Sequence, residues 1–180
     1  MNPEFVIFTG PMFGGKTSRM LAALERAKYK SQKIIAFKPK MDHRYSNENI
    51  VTHAGYEWEA VCVGTGDEIL ELSQEYDVVA VDEAFMVDGS AESLIQLFRS
   101  GKSIYVSSIQ LSATGKIFPE IQSIFPWATK IEVCPAVCPI TGQDAYYTVA
   151  KVDGLKTIEV GGAETYEPRC HSHTPFLKSE

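Results

Sequence analysis

Apolar residues gather in four short runs, and the stretches between them carry helical spacing. Phe5-Val6-Ile7-Phe8 is uninterrupted, as in a strand buried on both faces of a parallel sheet. Thr17, Met20, Leu21, Leu24 and Ala27 then recur at three- and four-residue steps and predict a helix with one apolar face. Residues 33–37 predict a second strand, residues 67–73 a helix, and Val78-Val79-Ala80-Val81 a third buried strand. A helix over 91–99, a strand over 104–106, a loop over 109–116 and a short helix over 117–125 continue the series. Residues 38–58 are polar and irregular and read as one long loop, which in a compact domain usually serves function. Regular alternation of strand and helix predicts a mostly parallel sheet covered on both faces. Beyond Lys130 the pattern changes. Pro135, Pro139 and Gly142 break the chain into short β-rich pieces at 146–149 and 157–160. Two units are therefore expected, residues 1–130 and residues 131–180.

Composition narrows the partners. Hydrophobic content of 44% and charged content of 22% over 180 residues describe a globular chain with a proper core. A net charge of −6 and the lack of any Lys/Arg-rich run argue against a nucleic-acid polymer, which is bound by neutralising phosphates. A small substrate remains open. Met1-Asn2-Pro3-Glu4 offers neither the basic segment nor the apolar core of an export signal, and no apolar run approaches the ~20 residues that span a bilayer. The expectation is a cytoplasmic protein without membrane contact. In that reducing setting Cys62, Cys134, Cys138 and Cys170 are not expected to form structural disulfides.

The chemistry begins where the first run ends. Gly10-Pro11-Met12-Phe13-Gly14-Gly15-Lys16-Thr17 fits the phosphate-loop (P-loop) pattern of Gly, four residues, then Gly-Lys-Ser/Thr, between a predicted strand and a predicted helix. Its glycines let backbone N–H groups converge on an anion, and the helix N-terminus adds positive potential. Lys16 supplies a point charge for the outer phosphates, and Thr17 a hydroxyl for Mg²⁺. A nucleoside triphosphate, ATP with Mg²⁺, is the implied ligand.

The third strand ends in Asp82-Glu83. A carboxylate there is the usual Mg²⁺-holding partner of a phosphate loop, and in a parallel sheet both stand at the carboxyl edge of the strands. By itself the pair is as readily a solvated strand end; the phosphate loop in the same chain turns the reading. Glu83 points elsewhere than Asp82 and is free to accept a proton from an acceptor hydroxyl.

Taken together, Gly10 to Thr17, Asp42-x-Arg44-Tyr45-Ser46, Asp82-Glu83-Ala84, Gly161-Gly162-Ala163-Glu164-x-Tyr166 and Cys170 resemble the thymidine kinases of the cellular type II family. Order and spacing agree from Phe5 to His173. The resemblance implies transfer of the ATP γ-phosphate to the 5′-hydroxyl of thymidine, with Glu83 as general base and Arg44 and Asp42 beside the reacting phosphate. It implies Met12 and Phe118 against the base, and Val160, Gly161, Gly162 and Tyr166 in a loop covering the substrate. It also implies a homo-oligomer, usually a tetramer, and a structural zinc in the C-terminal unit.

The chain departs from that family in three places. Phe85 and Met86 follow Asp-Glu-Ala where Gln and Phe are usual; Ala113 stands where a lid aromatic is expected; and Thr148-Val149-Ala150 lacks an arginine. Phe85 or Met86 is expected to refill the base pocket from another side. Cys170 and His173 form a good ligand pair, but beside Cys138 the family's next cysteine is Thr141. A neutral hydroxyl is a poor zinc ligand. Either Cys134 completes the set after a reshaping of its loop, or the site is degenerate and its cysteines are simply buried.

The expected fold is α/β, a P-loop parallel sheet covered by helices, followed by a small zinc-ribbon-like or lasso domain. The expected function is deoxynucleoside phosphorylation. A P-loop ATPase acting on macromolecules and a relative that has lost catalysis are the alternatives; acidity and the 161–166 loop speak against the first, intact Lys16, Asp82 and Glu83 against the second.

Overall fold

The computed structural model describes residues 2–40, 49–52, 55–152, 154 and 161–178. Asp42, Arg44 and Val160, and the strand expected over 157–160, lie outside the described residues. In chain order the elements are β1 (Phe5–Thr9), α1 (Lys16–Tyr29), β2 (Ile34–Pro39), β3 (Asn49–Val51), β4 (Glu57–Glu59), β5 (Val61–Val63), α2 (Gly66–Leu72) and β6 (Val78–Asp82). They continue with α3 (Ser90–Arg99), β7 (Ser103–Ser108), α4 (Pro119–Ile124), β8 (Lys130–Val133), β9 (Ala136–Val137), β10 (Asp144–Ala145), β11 (Tyr147–Ala150) and β12 (Tyr166–Arg169).

Six strands form one sheet in the order β5-β2-β6-β7-β1-β8. Every neighbouring pair in it is parallel. Strand alternation sends successive side chains to opposite faces, and each face has its own core. Val6, Phe8, Ala36, Val78 and Ala80 meet Met20, Leu21, Leu24 and Ala27 of α1. Phe5, Ile7, Phe37, Val79, Val81, Ile104 and Val106 meet Leu94 and Leu97 of α3 and Ile121 and Ile124 of α4. The uninterrupted apolar runs are thus explained: these strands have no solvent face.

The order of the strands positions the site. β7 lies between β1 and β6, with Ser107 paired in register with Phe8 on one side and Asp82 on the other. The phosphate loop after β1 and the carboxylates after β6 therefore flank the end of one intervening strand. The polar stretch read as a single loop contains an antiparallel hairpin, β3 with β4, as well as the end of β2. Three-residue strands are too short to leave a periodic pattern in sequence. β8 carries the main sheet past Lys130, and the small antiparallel pairs β9–β10 and β11–β12 follow it. Among the described residues no helix is long and apolar enough to cross a membrane.

Candidate active site

Gly10 and Gly14 are required by what lies behind the loop. A Cβ at either would sit 2.2 or 2.3 Å from the carbonyl oxygen of Cys134, far inside van der Waals contact. Cys134 is held there because its N–H donates to the Thr9 carbonyl at 2.7 Å, continuing the pairing of β8 with β1. Phe13 stands at φ 66 and is the one residue between Gly10 and Thr17 that adopts the left-handed region with a bulky side chain. Such a backbone costs on the order of 1–3 kcal/mol and persists only when its surroundings over-determine it. Met12 donates its N–H to Thr148 Oγ1 of β11 at 3.0 Å.

Gly15, at the N-cap of α1, has no side chain with which to cap it, and no acidic residue stands in the first turn. By contrast, α2 begins with a complete capping box between Thr65 and Glu68. At α3 the Glu120 carboxylate accepts the Ala91 N–H at 2.7 Å. The start of α1 is left to an anion. Lys16 is only 6% exposed and donates to the Pro11 carbonyl at 2.7 Å, folding its ammonium over the loop. Thr17 donates its hydroxyl to Asp82 Oδ1 at 2.9 Å, with Ser107 Oγ at 3.5 Å. Hydroxyl and carboxylate oxygens at this spacing are a donor set for Mg²⁺.

These groups line a cleft of about 360 Å³ that contains Met12, Phe13, Lys16, Thr17, Asp82 and Glu83. Asn49 to Thr52 and the Gly162 to Glu164 turn close its far side. Lys38, 5% exposed, also lines it and donates to the Asn49 carbonyl at 3.1 Å. A narrower apolar pocket of about 30 Å³ adjoins, lined by Phe85, Met86, Ile109, Ala113, Phe118 and Tyr166. Met12 and Glu83 line both spaces. Glu83 reaches this junction from a left-handed backbone, φ 52 and ψ 45, at the end of β6. Phe85 and Phe118 have ring centroids 4.6 Å apart, and both line this pocket. At this volume the pocket has room for one or two waters.

The described residues of the loop expected to cover a substrate divide between the two spaces. Gly161 and Tyr166 line the inner pocket, whereas Gly162 lines the larger cleft and donates its N–H to Glu164 Oε1 at 2.7 Å. Sequence alone singles out neither Ser107 nor Lys38, and it meets Thr148 only as part of a motif that lacks its arginine. Serine, threonine and lysine are common; what these three touch is set by strand order.

The C-terminal unit brings Cys138, Cys170 and His173 together, with donor atoms all within 4.8 Å of one another. Two thiols and an imidazole are soft and borderline donors suited to zinc. Cys134 is not with them. Its side chain lies in the core beneath α1 with Val6, Phe8 and Met20, and burial pushes its thiol pKa up. Thr141 Oγ1 stands 3.5 Å from Cys170 Sγ, and Ser172 Oγ 3.4 Å. The Ser172 and Thr141 hydroxyls, against the opposing effect of burial, bring the Cys170 thiol down to about 7. At Cys138 burial raises the pKa but is outweighed by the Cys170 N–H and the Thr141 hydroxyl, so the thiol is lowered.

A phosphate loop after one parallel strand and a carboxylate at the end of another, across a shared cleft, define a P-loop nucleotide-binding α/β protein. The fold is similar to that of the genome packaging NTPase B204 from Sulfolobus turreted icosahedral virus 2, solved with ATP-gammaS: TM-score 0.50, 17% identity, 78% of this chain and 79% of that one. A family profile described as thymidine kinase matches residues 4–174. A thymidine kinase of Thermococcus kodakarensis is 33% identical over 180 residues, covering 93% of this chain and 91% of the relative. The chain belongs to the thymidine kinase family, and so to the ATP-using nucleoside kinases.

Proposed function

We propose that the protein transfers the γ-phosphoryl group of ATP to the 5′-hydroxyl of thymidine, giving dTMP. The observation that carries the reading is the shared lining: Glu83 and Met12 border both the phosphate-side cleft and the apolar pocket. A triphosphate on the loop and a base against Phe118 would bring the sugar hydroxyl to Glu83. Family membership and the 33% identical relative support thymidine as the acceptor.

Catalysis in this arrangement is alignment and charge neutralisation. Lys16 and the loop N–H groups hold the outer phosphates. Thr17 and Asp82 would hold Mg²⁺, which when bound neutralises charge on the β- and γ-oxygens. Glu83 accepts the hydroxyl proton as the new O–P bond forms, and ADP leaves. Phe85 and Phe118 exclude water from the acceptor side. By family resemblance, Asp42 and Arg44 stand beside the transferred phosphate, Val160 belongs to the covering loop, zinc sits at Cys138, Cys170 and His173, and the protein assembles as a tetramer in the cytoplasm.

The test is Glu83→Gln. It keeps shape and removes the base, so kcat with thymidine should fall by about 10²–10⁴-fold while ATP affinity stays within twofold. Near-normal kcat would show that Glu83 is not the base, and labelled phosphate appearing on another nucleoside but never on thymidine would sink the substrate assignment.

A further inference from the structure

Phe13 joins two places that the reaction itself does not connect. Its ring packs against Ala136, Cys138, Ala145 and Cys170, the small core that includes the two thiols of the Cys138–Cys170–His173 cluster. The same residue lines the phosphate-side cleft with Lys16 and Thr17. Its backbone is held at φ 66, a conformation that a bulky side chain does not adopt unaided. The neighbouring Met12 N–H is fastened to Thr148 of the same C-terminal unit. An outlier of this kind, located at a ligand cleft and anchored elsewhere, points to a constraint imposed from outside the loop.

We propose that Phe13 is a positioning residue that couples the phosphate loop to the Cys138–Cys170–His173 centre, so that metal and nucleoside triphosphate bind cooperatively. The inference rests on the ATP reading of the cleft and adds regulation of that same site. With metal cross-linking Cys138, Cys170 and His173, the surface beneath Phe13 is rigid and holds the loop at its unfavourable backbone angle. Without that cross-link the surface loosens, Phe13 relaxes toward negative φ, and the peptide groups after it turn away from the phosphates. A triphosphate favours the strained loop for its own reason, its bonds to the loop N–H groups. Two ligands that favour one conformation strengthen each other by the same factor.

Reciprocity gives the test. The full chain is titrated with zinc against a chromophoric competing chelator, with and without a non-hydrolysable ATP analogue, and its zinc affinity is read at equilibrium. The analogue should raise zinc affinity by about tenfold, within the usual range of site-to-site coupling. Phe13→Gly, which accepts φ 66 without strain and has no ring to transmit it, should hold zinc with one affinity whether or not the analogue is bound. Phe13→Tyr, which keeps the ring, should respond like the native protein. Analogue affinity of zinc-loaded against metal-stripped protein should differ by the same factor in the native chain and be equal in Phe13→Gly. Native zinc affinities within twofold of each other with and without the analogue overturn the proposal, as does a Phe13→Gly variant that responds like the native chain or a protein that takes up no zinc. A bound analogue without coupling overturns this proposal alone; an analogue that fails to bind the loaded protein overturns the ATP reading as well.

Discussion

Thr17 and Asp82 are 65 positions apart in the chain and share a hydrogen bond of 2.9 Å from the Thr17 hydroxyl to Asp82 Oδ1. The first belongs to the helix after β1 and the second to the end of β6, with β7 between them. Ser107 fills the gap between them because its side chain is small, fully buried and polar. A larger residue there would push the two strand ends apart.

On the proposed reading, that pair would hold Mg²⁺. Asp82→Asn keeps an oxygen near Thr17 but removes the charge, so the Mg²⁺ concentration giving half-maximal turnover should rise by about 10–100-fold. A Mg²⁺ titration at saturating ATP and thymidine reads this directly. An unchanged midpoint would remove Asp82 from the metal-holding role.

Close approach, rather than flexibility, explains the second loop glycine. Gly14→Ala places a methyl group 2.3 Å from the Cys134 carbonyl, and the β8 extension that carries this carbonyl is fixed by the Cys134 N–H bond to Thr9. Overpacking of this kind costs about 1–3 kcal/mol. The urea midpoint should fall accordingly, with weaker ATP-analogue binding beside it. A variant as stable as the native chain would mean that Cys134 does not back the loop.

Local patterns made the main sheet legible, because β1, β2, β6 and β7 are each buried along nearly their whole length, and β1 runs into a helix with its own periodicity. The phosphate loop and Asp82-Glu83 were legible for a different reason: their chemistry constrains residue type at consecutive positions. Cys134 shows the limit. Four residues from Cys138, it remained open on spacing as a ligand if its loop reshaped, yet β8 leads it away from the cluster and its side chain joins the core beneath α1. Gly162 shows another, since its N–H is taken by Glu164 two residues on. Thr148 and Ser107 act through hydroxyls whose partners lie 136 and 90 positions away, and no sequence window contains both ends.

The start of α2 supplies a pH dependence separate from catalysis. Glu68 at the start of α2 bonds Lys40 Nζ at 2.5 Å and accepts the Gly64 and Thr65 N–H groups. Lys40 first, then the Gly64 N–H, bring its pKa down from the usual 4.5 to about 2. The folded value lies below the unfolded one, so the folded state binds fewer protons between them and gains stability as pH rises. That gain is complete above about 4.5 and disappears as pH falls toward 2. Glu68→Gln retains an oxygen for the backbone N–H groups but cannot titrate. Urea midpoints of the two proteins, measured from pH 6 down to pH 2, should therefore differ most at pH 6 and converge at the acid end. Parallel curves across that range would show that Glu68 carries no charge-dependent share of stability, and that the capping geometry alone secures the start of α2.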